Sequence, residues 1–123
     1  MTGEEYLFNL KKAAQNVPMD YLTRSGTLIV SKSKWGRLHA ELCRDLLHDA
    51  AGVRLCGYPV GLVDVDDIEQ LVPDASAISF LKVGDYVVHC GKLCHVTAVL
   101  GRANGHEVQC VDIMPDSDIT FPK

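Results

Sequence analysis

Six cysteine and histidine residues in the last third of the chain are of the types that bind zinc or act in nucleophilic catalysis. Three of them lie within six residues and three flank these: Cys90, Cys94 and His95, with His89, His106 and Cys110. Structural zinc sites commonly use pairs of cysteines in knuckle-shaped turns, with about two to four residues between the two cysteines. Three residues separate Cys90 from Cys94. The residues therefore form a metal site, or they belong to a β-hairpin that contains cysteine and histidine.

The sequence around this cluster has the pattern of an antiparallel sheet. Short aliphatic runs alternate with glycine-containing turns, and the pattern predicts three strands, over 86–90, 93–100 and 106–114. The first turn is Gly91-Lys92. The second turn contains Asn104-Gly105, the strongest short hairpin signal.

This hairpin argues against a metal site. The first turn pairs Cys90 with Leu93 and His89 with Cys94. Because successive side chains point to opposite faces of a sheet, Cys94 and His95 cannot bind one ion together. We therefore predict that the protein binds no metal and that the histidines lie at the surface or rim.

The cysteines are better explained by packing than by chemistry. Cys94 is expected to be a small core residue beside Val96 and Ala98, as free cysteines often are. Cys43 lies on the apolar stripe of a predicted helix, so we expect it to be buried, and Cys56 has no catalytic partner set. With no phosphate-binding or metalloprotease motif, the sequence predicts no enzyme, no catalytic residue and no cofactor.

The first part of the chain predicts two helices and a strand. Thr2 and Glu5 form a capping box, and helical spacing continues to Val17. The segment 27–31 predicts a strand. A second amphipathic helix is expected to end at Gly52, with one apolar stripe that comprises Trp35, Leu38, Leu42, Cys43, Leu46, Leu47 and Ala50.

The middle of the chain predicts an extended segment, 53–65, followed by a short helical turn over 66–72. The fold expected from these elements is α+β. It has an N-terminal helix, a strand–helix–strand unit and a C-terminal antiparallel sheet curled towards a small β-barrel. We expect a single domain over 1–123, with a mainly helical α/β part over 1–75 and a β-hairpin part over 76–123.

The charges are unevenly distributed. Residues 1–54 carry eight Lys/Arg and six Asp/Glu, whereas residues 55–123 carry four and ten. This split suits packing of copies through oppositely charged surfaces, although ordinary scatter of solvated charge is the alternative. The predicted partner-binding residues are a basic and an acidic group: Lys32, Lys34 and Arg37, and Asp64, Asp66, Asp67 and Glu69. The acidic group lacks the spacing and central glycine of a calcium loop.

The composition excludes several classes of protein. No apolar run approaches the roughly 20 residues that span a bilayer, so we expect no membrane association. The first residues lack the pattern of a signal peptide, and five cysteines without framework spacing suit reduced thiols, so we expect synthesis in a cytoplasm. The net charge of −4 argues against nucleic-acid binding on electrostatic grounds.

Two stretches resemble proteins of tailed-phage virions. The segment "FLKVGDYVVHCGKLCHVTAVLGRANGHEVQCVDIM" resembles the C-terminal strands of small head–tail joining proteins, which share the opening formed here by Leu81, Gly84 and Asp85. The segments 27–47 and 53–68 together resemble part of the axial domain of phage major capsid proteins. That second resemblance rests on the residues Leu55, Gly57, Pro59, Val60 and Asp64.

These resemblances imply a non-enzymatic structural component of a phage-like virion. It would join or decorate head or head–tail junction proteins, with copies of itself and other virion proteins as partners, and would be a homo-oligomer in assembly. It would be made in the host cytoplasm and located in the virion. The chain lacks the long spine helix and extended arm of shell-forming proteins, so we do not expect a complete capsid subunit. The alternative is a small cytoplasmic β-barrel module that binds nucleic acid or a protein regulator.

Overall fold

The computed structural model describes residues 1–14, 21–22, 26–50, 52–66, 68–75, 81–113 and 119–121. These residues form two α-helices, a short 3₁₀ turn and eight strands. The helices are α1 (Gly3–Ala13) and α2 (Lys32–Leu42), and the 3₁₀ turn is Cys43–Asp45. The strands are β1 (Thr27–Ser31), β2 (Leu46–Asp49), β3 (Gly52–Leu55), β4 (Tyr58–Val63), β5 (Glu69–Val72), β6 (Tyr86–His89), β7 (Lys92–Arg102) and β8 (Gly105–Asp112).

Helix α1 begins where the capping pattern predicts. The Thr2 hydroxyl accepts a hydrogen bond from the Glu5 backbone N–H at 3.1 Å, which satisfies one of the free donors at the helix start. A second donor, the Gly3 N–H, binds the Asp45 carboxylate at 2.7 Å. Asp45 thereby attaches α1 to the 3₁₀ turn that follows α2. The predicted end of α1 at Val17 falls outside the described residues.

Helix α2 is shorter than predicted, because it ends at Leu42 and the chain turns into β2. Strand β2 pairs antiparallel with β3, and these backbone hydrogen bonds replace the helical continuation that the apolar spacing indicated. The expected burial of Cys43 is therefore wrong, since Cys43 is exposed. Leu47 is likewise exposed, at 62%. Gly52 begins β3 and does not terminate the helix.

A five-stranded sheet, called sheet I, has the strand order β2-β3-β4-β1-β5. Strand β1 is parallel to β4 and antiparallel to β5. The short helix predicted over 66–72 is wrong, because Glu69–Val72 is a strand. Its backbone pairs with β1, and its apolar residues Leu71 and Val72 are buried in cores on opposite faces of the sheet.

The last three strands form the predicted antiparallel sheet, called sheet II, in the order β6-β7-β8. The predicted pairing of the first hairpin is wrong by two residues: His89 pairs with Lys92, and Val87 pairs with Cys94. The turn residues are Cys90 and Gly91, with φ of 53° and 78°. A shift of two preserves the faces, because the side-chain period of a strand is two.

Three apolar clusters hold the layers together. Helices α1 and α2 cover one face of sheet I, where Leu28, Leu42 and Val60 are buried. Sheet II covers the other face, where Ile29 and Val63 of sheet I cluster with Leu93 of β7. The outer face of sheet II has its own cluster, which comprises Leu81, Val87, Cys94 and Val96.

The α+β prediction is confirmed, with its N-terminal helix, its strand–helix–strand unit and its C-terminal antiparallel sheet. Within the described residues the strands form two separate sheets and no closed barrel. Over the same residues, no helix has both the length and the apolar composition required to cross a membrane.

Candidate functional site

The predicted basic and acidic groups meet at one edge of sheet I. Strands β1 and β4 are parallel with Ser31 opposite Val63, so the residues that follow them leave the sheet side by side. Lys32 begins α2 directly after β1, and Asp64 directly follows β4. The Lys32 Nζ lies 3.6 Å from the Asp64 Oδ2.

Strand β5 brings a second acidic side chain to the same edge. Because β5 is antiparallel to β1, its first residue, Glu69, lies opposite Val30 near the end of β1. The Lys34 Nζ lies 3.7 Å from the Glu69 Oε1. Asp66 accepts a hydrogen bond of 3.4 Å from the Ser33 hydroxyl. The opposite charges therefore pair within one chain. They form a mixed-charge surface, which comprises Lys32, Lys34, Asp64, Asp66 and Glu69.

Two of the predicted residues stand apart from this surface. Arg37 lies further along α2 and pairs with Glu41 at 3.9 Å, one helical turn away. Asp67 lies outside the described residues. Exposed pairs such as Lys32–Asp64 and Arg37–Glu41 contribute about 0–1 kcal/mol each, so these charges can set the orientation of a partner more than the strength of its binding. Its role in partner binding stays a prediction.

Tyr6 is a polar residue of this region that the sequence did not single out, because its position in the helical spacing marked it only as apolar. Its side chain is 6% exposed. Its hydroxyl is buried near the Glu69 carboxylate, whose Oε1 is also buried and lies 3.7 Å from the Lys34 Nζ. Burial, and then the neighbouring Glu69 carboxylate, raise the pKa of the Tyr6 phenol, which keeps it protonated.

A cleft of about 240 Å³ lies beside the mixed-charge surface, between the loop before β5 and sheet II. It is lined by Val65, Asp66, Ile68, Glu69, Gln70, Tyr86 and Ile113. Sites for drug-sized molecules are typically about 300–1,000 Å³. The cleft is thus smaller than a typical small-molecule site.

The cysteine and histidine cluster is spread over both faces of sheet II. Cys94 is 2% exposed, and its thiol donates a hydrogen bond of 3.2 Å to the Asp112 carboxylate on β8. His95 lies on the opposite face, stacked on Tyr86 with 5.0 Å between ring centroids. Among the described residues, no three His, Cys, Asp or Glu side chains are grouped closely enough to hold a metal ion.

The Cys94 thiol is held in its protonated form. Burial is the main cause, followed by the hydrogen bond to Asp112 and the neighbouring Cys110, and together they raise the pKa of Cys94 to about 12. Only the thiolate is a strong nucleophile or metal ligand, so Cys94 is chemically inert near neutral pH. This agrees with its predicted place in the core, beside Val96 at 1% exposure.

The opening formed by Leu81, Gly84 and Asp85 is a structural turn that starts sheet II. Gly84 has φ of 96°, a conformation that favours glycine. The Asp85 carboxylate accepts a hydrogen bond from the Lys82 N–H at 2.9 Å. Leu81 is 4% exposed and anchors the turn in the outer cluster of sheet II. These residue types are thus explained by the local conformation.

The second hairpin of sheet II extends past the sheet as a β-arm, defined as residues 97–102 of β7 and 105–110 of β8. Strand β6 pairs only with residues 92–95 of β7, so no described strand pairs with that edge of the arm, while Val99 and Val108 at its base pack against the outer cluster of sheet II. No arm residue is buried. The sequence predicted this hairpin but not its projection, although the unequal strand lengths were a signal.

The turn of the β-arm is tighter than the predicted five-residue loop. Arg102 pairs with Gly105, so only Ala103 and Asn104 connect the strands. An ion pair of 2.7 Å between Arg102 and Glu107 stabilises the tip of the arm.

Comparisons with protein-family models, with curated proteins and with solved structures find no match to this chain.

Proposed function

We propose that this chain is a non-enzymatic structural component of a phage-like virion, which joins or decorates the proteins of the head or of the head–tail junction. The observation that carries the proposal is the β-arm. It projects from sheet II with both of its faces at least partly in solvent and with one edge of β8 unpaired among the described residues. An unpaired strand edge can bind another chain through its backbone hydrogen bonds.

The resemblance to small head–tail joining proteins supports the same function. It covers the part of the chain that forms sheet II and the β-arm, from Leu81 onwards. The resemblance to the capsid axial domain covers β1, α2 and the β3–β4 hairpin. Both resemblances concern proteins that act through surfaces, and fold alone does not decide function, so the proposal depends on a direct test.

The partners in this proposal are copies of the chain and neighbouring virion proteins. The mixed-charge surface would orient them, and buried apolar area would supply most of the affinity. Several large apolar side chains are available for such burial, because they are more than half exposed in the isolated chain: Phe8, Leu47, Val83 and Val111. The chain would be made in the host cytoplasm and carried in the particle.

The test is to ask whether the chain is present in particles. Particles released by the cells that produce this chain would be purified by density gradient and washed in high salt, and their proteins would be quantified by mass spectrometry. We expect the chain in the particle fraction, at a fixed ratio to the major shell protein, and visible at the head or its junction by labelled antibody. A chain found only in the cell lysate would overturn the proposal.

The rival function, a cytoplasmic binding module, predicts a different result in the same material. The purified chain would then shift a nucleic-acid probe or co-purify with a cytoplasmic protein at physiological salt. A matched control is the variant Lys32→Glu/Lys34→Glu, which reverses two charges of the mixed-charge surface. It would abolish electrostatic binding to a nucleic acid but leave the β-arm unchanged.

A further inference from the structure

Strand β8 is the outer edge of sheet II. It pairs with β7 along its whole length, and no other described strand pairs with it. Seven of its eight residues are exposed, and Val108 is half-buried. It is also the longest edge strand in the described structure, since β2, β5 and β6 have four residues each.

Two hydrogen bonds show which backbone groups of β8 face β7 and which face outward. The Ile113 N–H donates to the Leu93 carbonyl at 2.9 Å. The Gln109 carbonyl accepts a bond of 3.1 Å from the Thr97 hydroxyl, so it also faces β7. Antiparallel strands alternate between residues bonded to one neighbour and residues turned away. The residues turned to the free edge are therefore His106, Val108, Cys110 and Asp112.

These four residues form a self-complementary set. In a dimer whose two-fold axis is perpendicular to the sheet, the residue of β8 that lies on the axis faces its own copy. Side chains of directly facing residues lie on the same face of the sheet. When Gln109 lies on the axis, His106 faces Asp112 and Val108 faces Cys110 of the second copy. The backbone groups of all four outward residues then form hydrogen bonds with the second copy, about eight in total. With any other residue on the axis, fewer of the four outward residues would be paired.

The side chains agree with this register. His106 can donate a hydrogen bond to the Asp112 carboxylate of the second copy, and the symmetry forms this contact twice. The Asp112 side chain is 54% exposed, so it can accept this contact beside its existing partners, the Cys94 thiol at 3.2 Å and the Lys92 ammonium at 3.7 Å. Val108 meets the small Cys110 side chain on the same face. Hydrogen-bonded polar side chains that face one another across strands are favourable.

We propose that a second copy of this chain adds to β8 in antiparallel orientation, centred on Gln109, so that the two copies of sheet II form one continuous six-stranded sheet. This inference names a partner for the β-arm and rests on the proposed function for its biological role. The pairing itself is a property of the purified chain, and can be tested without particles.

A disulfide tests the register. In a background in which the exposed cysteines Cys43, Cys56, Cys90 and Cys110 are serine, Gln109→Cys places a thiol opposite its own copy. The Cα atoms of such a directly facing, non-hydrogen-bonded pair lie about 4.5 Å apart, within the range that a disulfide spans. We expect mild oxidation to convert Gln109→Cys to a covalent dimer. Glu107→Cys and Val111→Cys are the matched controls, and we expect them to remain largely monomeric on a non-reducing gel.

The second measurement is the dimer dissociation constant of the native chain by light scattering and sedimentation. His106→Glu faces the Asp112 carboxylate with a like charge at two places, and we expect it to weaken the dimer about tenfold. His89→Glu, on β6, is the control and should have no effect. A chain that is monomeric at high concentration, or that crosslinks equally at 107, 109 and 111, overturns the inference. Neither result would decide whether the chain is present in particles, so the failure of this inference can be distinguished from the failure of the proposed function.

Discussion

The Lys32 ammonium lies 3.6 Å from the Asp64 carboxylate, at the adjacent ends of two parallel strands. Both side chains are exposed, so the pair is expected to contribute no more than about 1 kcal/mol. Lys32→Asp should lower the free energy of unfolding by up to about 1 kcal/mol. The swapped variant, Lys32→Asp/Asp64→Lys, should recover most of this loss at low salt, as measured by urea denaturation. A swap that recovers nothing would show that the two groups do not interact.

The contacts of this surface could not be predicted from the sequence, because they depend on how distant strands pair. The charges of Lys32 and Asp64 were evident, but the parallel pairing of β1 with β4 was not. The apolar residues near Glu69 suited a helical turn equally well, and only pairing with β1 selects the strand. Local signals therefore identified the charged residues, and tertiary structure decided that they neutralise one another.

Helix α2 offers a comparison of two leucines from one predicted stripe. Leu42 is 3% exposed in the core under sheet I, and Leu47 is 62% exposed on β2. Leu42→Ala should lower the free energy of unfolding by about 2–5 kcal/mol, because it removes buried methyl groups and leaves a cavity. Leu47→Ala should change it by less than about 0.5 kcal/mol. Thermal and chemical denaturation would measure both, and equal effects would contradict the observed end of α2.

The predictions from sequence succeeded where a local rule sufficed. Thr2 caps α1 because its hydroxyl needs only the next turn of the same helix. The faces of Leu93 and Cys94 were also correct, because alternation fixes them once a strand is recognised. The register failed because the turn uses Cys90, a residue that seldom adopts positive φ. The periodicity of α2 failed because Leu46 and Leu47 fit helix and strand alike.

Two glycines in helices should respond oppositely to alanine. A Cβ at Gly3 would lie 2.7 Å from the Asp45 Cβ, too close to be accommodated without movement. Gly3→Ala should therefore destabilise the protein by about 1–3 kcal/mol, although alanine favours helices. At Gly36 nothing lies within 4 Å, so Gly36→Ala should stabilise by about 0.5–1 kcal/mol. Stabilisation by both variants would contradict the close approach of α1 to Asp45.

The turn residue Cys90 has φ of 53°, which is unfavourable for most side chains but tolerated by asparagine. Cys90→Asn should raise the free energy of unfolding by about 0.5–1 kcal/mol, and Cys90→Val should lower it by about 1–2 kcal/mol. The control is Cys43→Asn, because Cys43 is also exposed but has φ of −57°. Differential scanning calorimetry would measure all three. A gain at Cys43 equal to that at Cys90 would exclude the turn conformation as the cause.

The buried thiol of Cys94 should make the protein less stable at alkaline pH. Its pKa is raised from 9.0 to about 12 by burial, the Asp112 hydrogen bond and Cys110. Below pH 9 the thiol is protonated in both states, so its contribution is fully present. Between about pH 9 and 12 only the unfolded chain releases the proton, which favours unfolding progressively. The free energy of unfolding should thus fall less steeply with pH in Cys94→Ala than in the native chain. Thiol labelling at pH 8 should modify the exposed Cys43, Cys90 and Cys110 quickly and Cys94 slowly. Cys56 should be modified less quickly than those three, because burial and then the Asp45 carboxylate raise its pKa. Equal labelling rates, with identical alkaline slopes, would show that the thiol is exposed and ordinary.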